Sequence, residues 1–293
     1  MANGNQLRLG VPKGSLQEAT TKLFAKAGWN IRLHHRNYFP DIDDPEIKCS
    51  LARAQEMAVY VENGTFDVGL TGKDWVQEYD SDVVVVDDLI YSKVSNKPAR
   101  WVLCVNGDSP YKRPEDLEGK KIATELVGFT KRYFSALGVN VDVSFSWGTT
   151  EAKVVEGLCD AIVEITETGT TIKANGLRII AELMQTNTQL IANKDAWENP
   201  WKRKKIEQIR LLLQGALKAD MMVGLKMNMP KAKMAEAKQL LPALTSPTVA
   251  ELSDPEWLSV EIVVLESTVR DIIPQLVELG AKGIIEYALN KVI

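Results

Sequence analysis

Leu7-Arg8-Leu9-Gly10-Val11-Pro12-Lys13-Gly14-Ser15-Leu16 reads as a short strand, a turn holding Gly14 and the entry to a helix. Leu16, Ala19, Leu23 and Ala27 then recur at helical spacing. Ser15, with Glu18 three positions on, has the form of a capping box. Strand, glycine turn and helix make the opening unit of an α/β fold.

The same grammar continues outward. Residues 53–62 suit a helix, Phe66 to Leu70 a strand, and Gly72 to Glu78 another helix start. Val83 to Val86 is a run of β-branched residues, expected as a strand covered on both faces. Trp101 to Val105, Lys121 to Thr124, Val139 to Phe145 and Asp160 to Ile165 read as strands, with helices at 128–137 and from Thr149 or Thr150 to Gly157. Arg178 to Met184 and Gln189 to Ile191 look like returning strands. Ser95-Asn96-Lys97-Pro98 is a credible junction between two lobes. The expected boundaries are therefore 1–97 with 186–218 for the first lobe, and 98–185 for the second. Trp197 to Lys218 reads as one long helix, whose run Lys202-Arg203-Lys204-Lys205 is expected to be a solvated face.

Residues 219–293 have a separate rhythm. Met221 to Met227, Thr248 to Leu252, Leu258 to Leu265 and Gly283 to Tyr287 are strand-like; Pro230 to Leu241 and Thr268 to Leu279 are helical. The order βαββαβ predicts a ferredoxin-like α+β domain with helices on one face of an antiparallel sheet. The open sheet face favours a regulatory or oligomer-forming role.

Composition narrows the function classes. The 293 residues are 45% hydrophobic and 25% charged, with 35 basic and 39 acidic side chains, a net charge of −4. This is ordinary globular composition, and it gives no encouragement to nucleic-acid or membrane-surface binding. Cys49, Cys104 and Cys159 are far apart and form no metal or redox pattern. The start of the chain lacks an apolar signal core, which points to the cytoplasm. His34 and His35 are adjacent in a polar loop, with no metal-ligand spacing around them.

The strongest chemical signal is Asp160 to Asn175, an apolar strand running into Thr168-Gly169-Thr170-Thr171 and then a helix. Gly169 lets the backbone approach a ligand, and the three threonine hydroxyls are donors of the kind a phosphate needs. Asp160, Glu164 and Glu167 suit ribose hydroxyls or a divalent cation accompanying phosphates. A threonine-rich turn with a satisfied helix cap would look the same locally. Lys13 lies where a strand meets a helix, the place open α/β sheets put ligands, although a surface lysine beside a turn reads alike. Gly69-Leu70-Thr71-Gly72-Lys73-Asp74-Trp75 is a third strand-to-helix junction, and its indole suits either a core or a base-stacking role.

Together these stretches resemble the ATP phosphoribosyltransferase family in its long form. The resemblance covers essentially the whole chain: the opening Leu9-Gly10-Val11-Pro12-Lys13-Gly14-Ser15-Leu16, the segment Leu51 to Gly64, the stretch Asp67 to Trp75, and Glu151 through Gly157 and Asp160 to Thr171. Ser246-Pro247-Thr248, Asp254 to Trp257 and Gly280 to Ile285 extend it to the C-terminal domain. Glu164 stands where many members have aspartate, Ile172 where leucine or methionine is usual, and Ser15 where short-turn relatives carry arginine.

The resemblance implies a two-lobed core like a type 2 periplasmic binding protein, plus a ferredoxin-like (ACT-like) regulatory domain. It implies that ATP and phosphoribosyl pyrophosphate (PRPP) give N1-(5-phospho-β-D-ribosyl)-ATP and pyrophosphate, the first step of histidine biosynthesis. It further implies Mg²⁺ as cofactor, feedback inhibition by histidine, and homo-oligomers from dimer to hexamer. Thr168, Gly169, Thr170 and Thr171 would then cradle the PRPP phosphate, with Asp160 and Glu164 on the sugar side. Lys13 would meet pyrophosphate, Arg53 and Lys73 would meet ATP or pyrophosphate, and Glu151 would position the nucleotide or a cation. Lys13, Glu151 and Asp160 are the expected catalytic residues; the metal ligands stay unassigned. The competing class is a small-molecule sensor built on the same lobes, which ATP-dependent pyrophosphate release would separate.

Overall fold

The structure is a computed structural model that describes residues 5–34, 37–91, 98–241 and 246–293. His35 and the junction residues Ser95, Asn96 and Lys97 lie outside the described residues. The chain forms two compact units, one of Met1–Ala25 with Trp29–Arg210 and one of Lys26–Gly28 with Leu211–Ile293.

The first unit holds two sheets, the cores of two lobes. Its chain runs β1 (Leu7–Lys13), α1 (Gln17–Ala27), β2 (Ile31–Arg32), β3 (Asp41–Ile42), β4 (Ile47–Arg53), α2 (Ala54–Glu62), β5 (Val68–Gly72), α3 (Lys73–Tyr79) and β6 (Val84–Leu89). It continues with β7 (Ala99–Asn106), β8 (Lys121–Thr124), α4 (Val127–Ala136), β9 (Asp142–Phe145), α5 (Thr150–Val155), β10 (Ala161–Thr166), α6 (Thr170–Ala174) and β11 (Leu177–Thr186). Then come β12 (Thr188–Ala192), α7 (Lys194–Glu198) and α8 (Pro200–Ala219).

The first sheet has the order β4-β1-β5-β12-β6, and β12 joins it from beyond the second lobe. Strands β1, β4 and β5 are parallel, so their C-terminal ends share one edge. Leu7, Leu9, Val11, Val68 and Leu70 are fully buried. Helix α2 presses close on the sheet: a Cβ added to Gly69 would stand 2.7 Å from the Met57 sulfur. Strand β6 departs from expectation. It is the sheet's edge, and Val85 is 47% exposed, because β12 rather than β6 takes the inner position.

The second sheet has the order β11-β7-β10-β8-β9, with β8, β9 and β10 parallel and β7 and β11 antiparallel. Trp101, Leu103, Ile122 and Phe134 fill one side, and Cys104, Val154, Ile162 and Ile172 the other. The expected helix over Trp197 to Lys218 is two helices. Pro200 has no N–H to continue the first, and the Asn199 side chain accepts from the N–H groups of Trp201 and Lys202, both at 3.1 Å, to start the second. The basic run is structural in part: Lys202 pairs with buried Asp67 at 2.9 Å, and Lys205 with Asp44 at 2.7 Å and Glu46 at 2.8 Å.

The second unit carries β13 (Met222–Pro230), α9 (Met234–Leu240), β14 (Thr248–Glu251), β15 (Trp257–Leu265), α10 (Glu266–Glu278) and β16 (Lys282–Ala288). Its antiparallel sheet has the order β14-β15-β13-β16. Leu258, Val260, Ile262 and Val264 alternate inward along β15 and pack with Ala237 of α9 and Val269, Ile272 and Leu276 of α10. Pro230 ends β13 instead of opening a helix; a 3₁₀ turn at Lys231–Lys233 precedes α9.

Candidate functional site

Parallel strands present their C-terminal ends on one edge, where the following loops leave backbone and side chains free for a ligand. Both lobes of the first unit obey this. In the first lobe, Lys13 ends β1 and is the register partner of Arg53, which ends β4. Ser15, Asp74 and Trp75 join them around a cavity of about 260 Å³, and Ala99 and Ile165 of the second lobe close its other side. The Lys13 ammonium stands 4.3 Å from the Tyr38 ring centroid. Lys13 and Arg53 also line a neighbouring pocket of about 570 Å³ with Arg8, Lys48, Tyr38 and Phe39.

In the second lobe, the threonine turn follows β10. Gly169 takes φ +77°, a left-handed conformation that glycine adopts without strain, and its N–H donates to Thr166 Oγ1 at 2.8 Å. The Thr168 and Thr170 hydroxyls share a hydrogen bond of 2.8 Å, and Thr168, Thr170 and Thr171 are all exposed. Helix α6 has only five residues, so the hydroxyls and turn amides are the donors that count.

Carboxylates gather near the turn. Burial pushes Glu164 up to about 7, and the charges of Glu151 and Glu125 add to the shift. Glu125 itself is raised by burial and by the charge of Asp74. Glu151 lies in the first turn of α5, whose preceding residue, Thr149, is held at φ +49°, a rare conformation for threonine. Glu167 is exposed in the turn itself.

Two expected site residues lie elsewhere. Asp160 precedes β10, at the opposite end of that strand from Thr168, and its carboxylate accepts the Lys121 N–H at 2.9 Å. It ties the start of β8 to β10, a position away from the turn that leaves it neither the sugar-side nor the catalytic role expected of it. Lys73 begins α3, but its charge acts on Asp88; its neighbours Gly72 and Asp74 line the cavity. The cysteines behave as expected of buried thiols, with burial pushing Cys49 and Cys104 up to about 12. His34 is exposed and bonded to Asp41 at 2.7 Å.

Three features were absent from the sequence reading. Trp147 is 73% exposed and, with Phe145, Trp75, Tyr79, Glu125 and Arg53, borders a pocket of about 410 Å³. Arg100 is the register partner of Thr166 beside the turn. Asp74 is buried and accepts the Trp101 indole N–H. Of these, only the proline-free run Phe145-Ser146-Trp147-Gly148 carried a visible signal, an aromatic pair beside glycine after a strand.

Fold and site define a two-lobed α/β core with a cation-lined cleft, joined to a separate α+β domain. The family profile for ATP phosphoribosyltransferase matches residues 53–215, and that for the HisG C-terminal domain matches residues 219–291. ATP phosphoribosyltransferases from Solidesulfovibrio magneticus and Nitratidesulfovibrio vulgaris (strain Hildenborough) are 71% identical over 100% of both chains and 67% identical over 98% of both. A chain of the ATP phosphoribosyltransferase HisG:HisZ complex from Thermotoga maritima superposes with a TM-score of 0.62 at 27% identity, covering 73% of this chain and 99% of that one. The chain belongs to the ATP phosphoribosyltransferase family, in the long form that carries the C-terminal domain.

Proposed function

We propose that the chain joins ATP to PRPP in the cleft between its two lobes, as a cytoplasmic enzyme of histidine biosynthesis. The observation that carries the placement is the Lys13–Arg53 pair at the ends of β1 and β4, lining a cavity closed by Ile165 of the strand that leads into the exposed threonine turn. The turn would hold the 5′-phosphate through Thr168, Gly169, Thr170 and Thr171.

Adenine N1 attacks ribose C1 as the bond from C1 to pyrophosphate breaks. Positive charge grows on the sugar and negative charge on the leaving group. Neither change requires a proton to move to the protein, and among the described residues no histidine lines the cavity. The chain's residues align the two substrates and stabilise the separating charges. Lys13 and Arg53 receive the developing pyrophosphate, and Glu164 and Glu151 face the sugar.

Mg²⁺ fits the donor set as a substrate-borne ion. Among the described residues no group of three or more histidine, cysteine or acidic side chains is arranged to hold a metal. Carboxylate oxygens at Glu164 and Glu151 are the hard ligands Mg²⁺ takes one or two of, with phosphates and water completing its shell. Bound there, the ion would neutralise pyrophosphate.

The C-terminal unit is read as a ferredoxin-like, ACT-like domain on its strand order, and as the seat of histidine inhibition and of homo-oligomers from dimer to hexamer. The lobes are read as a type 2 periplasmic-binding-protein-like pair, with domain limits of 1–97 plus 186–218, 98–185 and 219–293. Pyrophosphate release that requires both ATP and PRPP, titrated with histidine, tests activity and regulation together. Release independent of PRPP, or none at all, would remove the reading.

A further inference from the structure

The threonine turn presents a charge problem. It offers neutral donors, and Glu164 and Glu167 stand on its approach, yet a sugar phosphate brings close to two negative charges. Lys173 sits in the far turn of α6, and Arg178 is spent on the carbonyls of Ser109 and Tyr111 at 3.1 and 2.9 Å. Arg100 is placed differently. Antiparallel pairing sets it directly opposite Thr166, on the same sheet face. Thr166 Oγ1 in turn accepts the Gly169 N–H, and a Cβ added to Gly169 would stand 4.0 Å from Arg100 Nη2. The guanidinium therefore borders the turn's inner wall.

We propose that Arg100 is the counter-charge for the 5′-phosphate of PRPP, held by Glu182 until the phosphate takes it over. The proposal rests on the reading of the turn given above. Arg100 Nη1 bonds Glu182 Oε2 at 3.1 Å, with the two side chains 35% and 37% exposed. A pair this open to water is weak, whereas a guanidinium can bind a phosphate with two parallel hydrogen bonds. Glu182 thus keeps the cation near the turn without competing strongly for it.

The two partners predict effects of opposite sign. Pyrophosphate release by the full chain is measured with PRPP varied at saturating ATP. Arg100→Gln raises the PRPP KM about tenfold or more and leaves the ATP KM within about twofold. Arg100→Lys, which keeps charge but loses the fork, falls between. Glu182→Gln removes the competitor and lowers the PRPP KM by about twofold. If Arg100 and Glu182 merely tie β7 to β11, both substitutions shift the PRPP KM the same way. That result, or an Arg100→Gln enzyme with wild-type PRPP dependence, overturns the proposal. An inactive wild-type chain would instead remove the reading of the turn itself.

Discussion

The Trp101 indole N–H donates to the buried Asp74 carboxylate at 2.8 Å, joining the first turn of α3 in one lobe to β7 in the other. The Trp75 N–H adds a second donor at 3.0 Å, and the Asp74 N–H donates to Thr186 Oγ1 at 3.2 Å. Burial still pushes the carboxyl above the usual carboxylate range. Trp101→Phe leaves that buried oxygen without its indole partner. It should lower stability by about 1–3 kcal/mol in urea denaturation, and an unchanged midpoint would show the bond contributes nothing.

A second tie crosses between the lobes at α3 and α4. The Glu78 carboxylate accepts the Gly128 and Phe129 N–H groups at 2.8 and 2.9 Å, capping a helix it does not belong to. Arg132 of α4 returns the contact to the Gln77 and Glu78 carbonyls that end α3. Approach is close enough that a Cβ on Gly128 would stand 2.6 Å from the Glu78 oxygen. Glu78→Ala should cost about 1 kcal/mol and speed hydrogen exchange at the Gly128 and Phe129 amides. Wild-type protection at both amides would mean the cap is idle.

Sequence pattern exposed what is local and periodic. The β1 unit and the alternation of Leu258 to Val264 were legible because one strand or helix face carries the signal. Contacts made by strand register were not. Arg100 and Thr166 are far apart in sequence and meet only because β7 pairs antiparallel with β10. Asp160 misled for the converse reason. It is close in sequence to the threonine turn, but an extended strand rises roughly 3.3 Å per residue and carries it to the far edge. Burial was equally hidden: Asp74 lay in a strand-to-helix junction of the sequence, and the indole that bonds its buried carboxylate comes from another lobe.

Thr171→Ala tests the phosphate turn without disturbing its backbone. The Thr171 side chain is exposed, whereas the Thr168 and Thr170 hydroxyls bond each other, so its loss should leave folding within about 0.5 kcal/mol. PRPP affinity should fall by about tenfold, as expected for a hydrogen bond to a charged group, with ATP dependence unchanged. A variant whose PRPP saturation curve overlays that of wild type would show that the hydroxyl does not meet the phosphate.

Glu164 should leave a mark on stability as a function of pH. Burial pushes its carboxyl up to about 7 in the folded chain from an ordinary 4.5, so the folded form binds the proton more tightly. Its favourable contribution is fully present below 4.5 and is lost as pH rises through 7. The whole swing is at most roughly 3 kcal/mol. Glu164→Gln keeps the shape and carries no titrating proton. Denaturation at pH 5 and pH 8 should therefore show wild type losing stability relative to the variant at the higher pH. Parallel curves would place Glu164 in a wetter or better-paired setting than its burial implies.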